Sequence, residues 1–134
     1  MGLFSGKRPA DLGVHNGALK APPSSPNAVS SQAKEGYHRI APLTYEGAQA
    51  QAMEKLKAII ESTPGTQIVQ TKPDYLYAEY ASALLGFVDD VEFYFPQGTH
   101  VIHVRSASRL GHSDLGVNRK RIEAIRARLL QSGA

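Results

Sequence analysis

Apolar and polar residues alternate most regularly between residues 88 and 106, where they predict a β-hairpin. Gln97-Gly98 is the predicted two-residue turn, since glycine readily takes the positive φ that such turns need. This turn would pair Phe95 with His100 and carry the register down to Asp89 opposite Ser106. One face of the predicted hairpin is apolar and therefore buried, and it carries Val91, Phe93, Ile102 and Val104.

The opposite face of the predicted hairpin is charged. The register sets Asp90 opposite Arg105 and Glu92 opposite His103, as cross-strand pairs of opposite charge. Two interpretations stay open: a solvated face joined by ion pairs, and a shallow polar site in which His103 titrates near neutral pH. His100 and His103 are an odd number of residues apart and cannot share a sheet face, so no metal site is expected.

Helical periodicity occurs on either side of the β-rich region. Thr44 is the predicted cap of an amphipathic helix that runs to about Ser62, with Glu46 in its first turn. A second helix is predicted from Leu115 to Gln131, with an apolar inner stripe flanked by Leu115. The predicted cap of this second helix is Ser113 or Asp114.

Two further β-rich runs, 67–72 and 75–82, are joined by a turn at Pro73, and a third strand begins near Phe87. Four consecutive strands with short links predict an antiparallel meander. The expected fold class is therefore α+β: a four-stranded antiparallel sheet with an N-terminal and a C-terminal helix packed on one face, in the order α-β-β-β-β-α.

An irregular N-terminal arm precedes this unit. Residues 1–21 lack periodicity and predict a flexible tail, whereas residues 22–43 contain prolines among apolar residues and predict an arm docked on a single domain of residues 22–134. The face of the sheet that carries Tyr94 and Val101 would be poorly hydrated if bare. We expect the segment 26–43 or a partner subunit to cover it.

Composition narrows the possible functions. The chain has 134 residues and a formal charge of +3, which suits one domain and does not indicate a nucleic-acid partner. It contains no cysteine, so disulfides, thiolate catalysis and cysteine-bound clusters are excluded, and no cofactor is predicted. The N-terminus lacks the apolar core of a signal peptide and the myristoylation pattern, so a cytoplasmic location is expected.

The connection between the last strand and the last helix is the best candidate for a binding site. Free N–H groups at a helix start favour anions, and arginine can form two hydrogen bonds with a carboxylate or phosphate. Asp114 could occupy the anion position itself, with Arg109 and Arg119 as ion-pair partners. No nucleotide-binding fingerprint is present. The candidate ligand-binding residues are Arg105, Ser106, Ser108, Arg109, Ser113, Asp114, Asn118 and Arg119.

The same region carries a family resemblance. Residues 87–93 and 104–122, together with 26–31 and 40–43, resemble the bacterial and plastid family of the domain of unknown function 1499, over roughly residues 22–130. The resemblance implies that the arm from Pro26 belongs to the domain, and it implies no activity. The family usually has a cysteine where this chain has Ala28, so no role of that thiol can operate here.

Three functional hypotheses follow. The first is a non-catalytic binding or interaction module whose partner is a small anion or a protein. The second is an enzyme of unknown class that uses Asp90, Glu92 and His103 with Arg105 as a polar site. The third is a peripheral membrane or scaffold protein, suggested by the basic last helix and by Leu3, Phe4, Lys7 and Arg8. The oligomeric state stays open.

Overall fold

The architecture was established from a computed structural model, which describes residues 5–83 and 85–133. Two helices and six strands form one α+β unit. In chain order the elements are β1 (Ala28–Ser30), β2 (Leu43–Thr44), α1 (Gln49–Glu61), β3 (Thr66–Lys72), β4 (Tyr75–Ala81), β5 (Val88–Tyr94), β6 (Val101–Ser108) and α2 (Val117–Gln131).

The sheet has the order β1-β6-β5-β4-β3, with β2 also paired to β6, and every pairing is antiparallel. The α+β class and the antiparallel sheet are thus confirmed, but the sheet has six strands, not four. The two missed strands, β1 and β2, are only three and two residues long. Such short strands show no alternation that a sequence pattern could reveal.

Both helices pack against the same face of the sheet, which we call the inner face. Its core combines Leu56 and Ile60 of α1, Ile122 and Leu129 of α2, and the apolar side chains of the strands, with Phe93 among them. Burial of this continuous apolar surface is the main force that holds helices and sheet together.

The hairpin between β5 and β6 has a different register from the predicted one. Glu92 pairs with Arg105 and Asp90 with Ala107, two residues away from the expected partners. The loop is longer than two residues because Phe95 donates its N–H to Asp74 O at 2.8 Å instead of pairing with β6. Since a shift of two preserves the alternation, every side chain stays on its predicted face.

Both helices begin later than predicted. Thr44 lies in β2, paired with Val101, so it does not cap α1, and no acidic residue lies in the first turn of α1. Leu115 has a φ of 54° and is 86% exposed, so it precedes α2 and does not flank its inner stripe. β-Pairing and left-handed backbone at these positions overrode the local helical pattern.

Residues 5–21, the N-terminal segment, lie across the other face of the sheet, which we call the outer face. Leu19 is buried there against Tyr75 and Tyr77. We expected residues 26–43 or a partner subunit to cover this face; in the described chain the preceding segment supplies apolar contacts to Tyr94. Coverage by a partner subunit stays a prediction. Flexibility of residues 1–21 stays a prediction, which amide hydrogen exchange would test; residues 1–4 lie outside the described chain.

No helix in the described ranges is long and apolar enough to cross a membrane. Leu3 and Phe4, on which the membrane hypothesis partly rested, are outside those ranges. Arg8, another residue of that hypothesis, forms an ion pair with Glu79 at 2.6 Å on the outer face.

Candidate functional site

A charged network lies on the outer face, beneath the N-terminal segment. Arg109 donates to both carboxylate oxygens of Asp90, at 2.9 and 2.8 Å, and also binds Glu79. The Tyr77 hydroxyl donates to Asp90 as well. The hydrogen bonds to Asp90 and Glu79 raise the pKa of Arg109, although burial opposes them. Arg109 and Asp90 therefore neutralise each other with good geometry.

Glu92 is the fully buried acid of this network. Its Oε2 accepts hydrogen bonds from the Tyr75 hydroxyl at 2.5 Å and from the Gly13 N–H at 2.7 Å. Its Oε1 has no hydrogen-bond donor among the described residues. Burial, followed by the hydrogen bond to Glu92, raises the pKa of Tyr75 far above its usual range, so Tyr75 stays a donor.

Arg105 is the unusual cation of the outer face. It is only 4% exposed, and its nearest acid is Glu92, whose Oε1 lies 3.8 Å from Nη1. That separation exceeds hydrogen-bonding distance. Arg105 Nε is buried without an acceptor in the described chain. Burial lowers the pKa of Arg105 against the opposing fields of Glu92 and Asp90. Arg105 is thus a buried guanidinium with one loose ion pair, to Glu92, and an Nε–H that has no acceptor among the described residues.

A cavity of about 290 Å³, the outer cavity, adjoins Arg105. It lies between β6 and the N-terminal segment. Four cations line it against one carboxylate, that of Asp90, which is already paired with Arg109. The lining residues are Lys7, Pro9, Lys20, Ala21, Pro23, Asn27, Asp90, Arg105, Ala107, Ser108 and Arg109. Lys20 also pairs with Asp11 at 3.0 Å. The chemistry of this lining suits an anion.

Asp114 occupies the N-terminal end of α2. Its carboxylate accepts the N–H groups of Gly116 at 2.8 Å and Asn118 at 3.3 Å, and the Tyr37 hydroxyl at 2.6 Å. Burial alone would raise the pKa of Asp114, but the hydrogen bonds from Tyr37, Asn118 and Gly116 together lower it. Asp114 thus takes the position in which an external anion would bind.

The expected ion pairs of Asp114 with Arg109 and Arg119 were wrong. Arg109 lies on the outer face with Asp90, and Arg119 donates to the Tyr37 carbonyl and lies over the Tyr37 ring at 5.6 Å. The tyrosine hydroxyl replaces them as partner of Asp114 because residues 36–40 pack beside the start of α2.

The structure divides the eight predicted ligand-binding residues. Arg105 and Arg109 point to the outer cavity, with Ser108 at its edge. Ser106 of β6 and Asn118 of α2 meet on the inner side of the sheet, where the Ser106 hydroxyl donates to the Asn118 amide oxygen at 2.6 Å. The other three residues lie around the start of α2: Ser113, Asp114 and Arg119.

The residues of the predicted polar sheet face also have separate partners. Asp90 binds Arg109 and Tyr77, whereas Glu92 lies under Gly13. His103 Nδ1 lies 2.9 Å from Ser31 Oγ, and burial and Arg39 lower the pKa of His103. In the described ranges, no three His, Asp or Glu side chains lie close enough together to hold a metal ion.

Sequence reasoning missed part of this site. Lys20 was not singled out, and Lys7 was considered only for membrane contact, because their places in the cavity depend on where the N-terminal segment folds. Tyr75 and Tyr77 were detectable: their alternation places both hydroxyls on the same face as Asp90 and Glu92.

Comparison with known proteins agrees with the sequence resemblance. No curated protein matches the chain. The sequence profile of the family described as "Protein of unknown function (DUF1499)" matches residues 18–129, which include β1 to β6 and all of α2 except its last two residues. This range includes Arg105 and Arg109 of the outer cavity but not Lys7. The match confirms the resemblance, and the chain belongs to this family.

Proposed function

We propose that this protein is a binding module for a small anion, which it holds in the outer cavity. The observation that carries the proposal is Arg105, buried beside the cavity with a guanidinium Nε that has no acceptor in the described chain. A buried charged donor without an acceptor costs on the order of 1–3 kcal/mol or more. An anion that enters the cavity and reaches Arg105 Nε would supply that acceptor and remove this cost.

Local charge supports an anionic ligand. Arg109 and Asp90 compensate each other, whereas Lys7 forms no hydrogen bond or ion pair with the described residues. Lys7 and the Nε–H of Arg105 are therefore the cationic groups of the cavity that lack a partner in the described chain. Guanidinium binds planar carboxylates and phosphates through paired hydrogen bonds, and ammonium acts as a point charge.

The size of the cavity limits the ligand. Its volume of about 290 Å³ lies at the lower end of the range for small-molecule pockets. Inorganic phosphate and a short dicarboxylate are both small enough to enter it and reach the cations of its lining. The proposed ligand is therefore a small phosphate or carboxylate compound.

Calorimetric titration with inorganic phosphate and with malonate tests this proposal. We expect saturable binding that weakens with added salt, because the attraction is partly Coulombic. Arg105→Gln should weaken binding at least about thirtyfold, and Lys7→Gln about fivefold, since the lysine is exposed. Lys34→Gln is the matched control: this exposed lysine lies outside the cavity lining, and its removal changes net charge equally.

Equal affinities of the Lys7→Gln and Lys34→Gln proteins would contradict the proposal. So would the absence of saturable binding of both anions to the unaltered protein at low salt. If Arg105→Gln does not fold, Arg105→Lys keeps a cation at this position. It should bind phosphate more weakly than the unaltered protein, because it lacks the planar donor set.

A further inference from the structure

A second cavity lies on the inner side of the sheet, where the end of α1 approaches α2. We call it the helix cavity, and its volume is about 330 Å³. Its walls are apolar, with three cations and no acidic residue in the lining. The lining residues are Ile59, Thr63, Tyr80, Val117, Lys120, Arg121, Ala124, Ile125 and Arg128.

Tyr80 lines this cavity and carries a hydroxyl that is not used as a donor in the described chain. Its side chain is 8% exposed, and its hydroxyl is buried without a hydrogen-bond partner in the described chain. The Arg121 guanidinium lies over its ring at 4.7 Å. Burial raises the pKa of Tyr80 to about 12, while Arg121 and Arg128 act in the opposite direction. The hydroxyl is therefore protonated, belongs to a ring covered by an arginine, and has no acceptor among the residues that the structure describes.

The three cations of the helix cavity differ in their hydrogen-bond and ion-pair partners. Arg121 pairs with Asp89 at 2.8 Å. Arg128 donates only to neutral groups, at 3.2 Å to the Ile59 carbonyl and at 2.7 Å to Ser62 Oγ. Lys120 forms no side-chain hydrogen bond or ion pair with the residues that the structure describes. The local excess of positive charge favours a negatively charged ligand.

We infer that the helix cavity binds a monomeric amphiphilic anion, an aliphatic chain that ends in a carboxylate. The chain packs on Ile59, Ala124 and Ile125, and the carboxylate accepts a hydrogen bond from the Tyr80 hydroxyl near Lys120. A concave apolar pocket with one convergent donor suits a single molecule better than a flat membrane surface. This site is separate from the outer cavity, which lies across the sheet.

Titration of the full chain with decanoate below its micelle concentration tests the inference. We expect saturable binding that an excess of inorganic phosphate does not displace. Tyr80→Phe removes only the hydroxyl and should weaken binding about tenfold. Ala124→Trp fills the cavity and should also weaken binding at least about tenfold. Ala127→Trp, an exposed alanine of the same helix outside the lining, is the matched control and should bind decanoate normally.

The inference is overturned if decanoate does not bind, or if Ala124→Trp and Ala127→Trp bind it equally well. Unchanged affinity in Tyr80→Phe overturns the role of the hydroxyl as the donor to the carboxylate. Sedimentation with anionic phospholipid vesicles, without binding of monomeric decanoate, would show that the surface contacts membranes instead and would also overturn it.

Discussion

Two tyrosines of β4 show how hydrogen bonding determines the contribution of a single buried hydroxyl to stability. Tyr75 donates to the buried Glu92, while the Tyr80 hydroxyl has no partner among the described residues. Both side chains are more than nine-tenths buried. The same chemical change, loss of a hydroxyl, should therefore have opposite consequences on the two faces of one strand.

We expect Tyr75→Phe to lower the free energy of unfolding by about 1–3 kcal/mol, because it leaves a buried carboxylate with one donor fewer. Tyr80→Phe should leave stability unchanged or raise it by up to about 1 kcal/mol, because no hydrogen bond is lost. Urea unfolding of both variants in ligand-free buffer gives the comparison. Equal destabilisation by the two substitutions would contradict the hydrogen bonding described here.

Asp114 makes stability depend on pH at the start of α2. Its pKa is lower in the folded chain than the ordinary aspartate value of about 3.9. Its contribution is therefore complete above that value and is lost as pH falls through the lower pKa of the folded state. Asp114→Asn should lower the free energy of unfolding by about 1–2 kcal/mol at about pH 6. The difference in this free energy from the unaltered protein should narrow towards about pH 3.

Urea unfolding at the two pH values tests this prediction. Glu35→Gln provides the control, because Glu35 is exposed and forms no hydrogen bond or ion pair with the described residues. This control should follow the unaltered protein at both pH values. A difference between Asp114→Asn and the unaltered protein that stays constant with pH would show that the carboxylate does not act through its charge.

At the scale of elements, the N-terminal segment is held to the outer face by a few identifiable contacts. A tight turn at Asn16-Gly17, with φ of 55° and 76°, brings His15 and Ala18 together. Asn-Gly is the strongest short signal for such a turn, and here it allows Leu19 to face β4. The Gly13 N–H adds the contact with Glu92.

Leu19→Ala should lower the free energy of unfolding by about 2–4 kcal/mol, because it leaves a cavity against Tyr75 and Tyr77. Leu130→Ala is the control: Leu130 is 62% exposed on α2, so we expect a change within about 0.5 kcal/mol. Denaturant unfolding measures both. If the segment is loose, as its sequence pattern predicts, Leu19→Ala will be as mild as the control.

The long elements were predictable from sequence and the short ones were not. The four strands β3 to β6 and both helices follow from the local pattern of apolar and β-forming residues, even though no residue of β3 is fully buried. β1 and β2 form because backbone groups of β6 need partners at that edge, which local pattern does not record. The predicted register of the β5–β6 hairpin was wrong because Phe95 forms its backbone hydrogen bond outside the hairpin.

The candidate site was predictable only on the strand that carries it. Arg105 and Arg109 were identified because they lie where the last strand leads into the last helix and because arginine can bind a carboxylate or phosphate. The two-residue shift in register determines the partners of both arginines. Because of it, Asp90 neutralises Arg109, and Arg105 is not paired in the same way. The lysines come from far along the chain, so no local pattern could place them.

At the scale of the whole molecule, the sheet separates two binding environments. Helices cover its inner face and leave the apolar helix cavity at their junction. The N-terminal segment covers its outer face, where tyrosines and acids hold a layer of buried charge. Arg109 forms close, hydrogen-bonded ion pairs there, whereas Arg105 has only a loose ion pair with Glu92 and a buried Nε without an acceptor in the described chain, and it is therefore the centre of the functional account.

The most direct test follows the Arg105 guanidinium by ¹⁵N–¹H correlation of arginine Nε–H groups during titration with inorganic phosphate. We expect the Arg105 signal, assigned by Arg105→Lys, to shift and saturate with the affinity found by calorimetry. The Arg121 signal should stay in place, because that side chain is already bound to Asp89 on the inner face. An Arg105 signal that does not move while phosphate reaches saturating concentration would contradict the account.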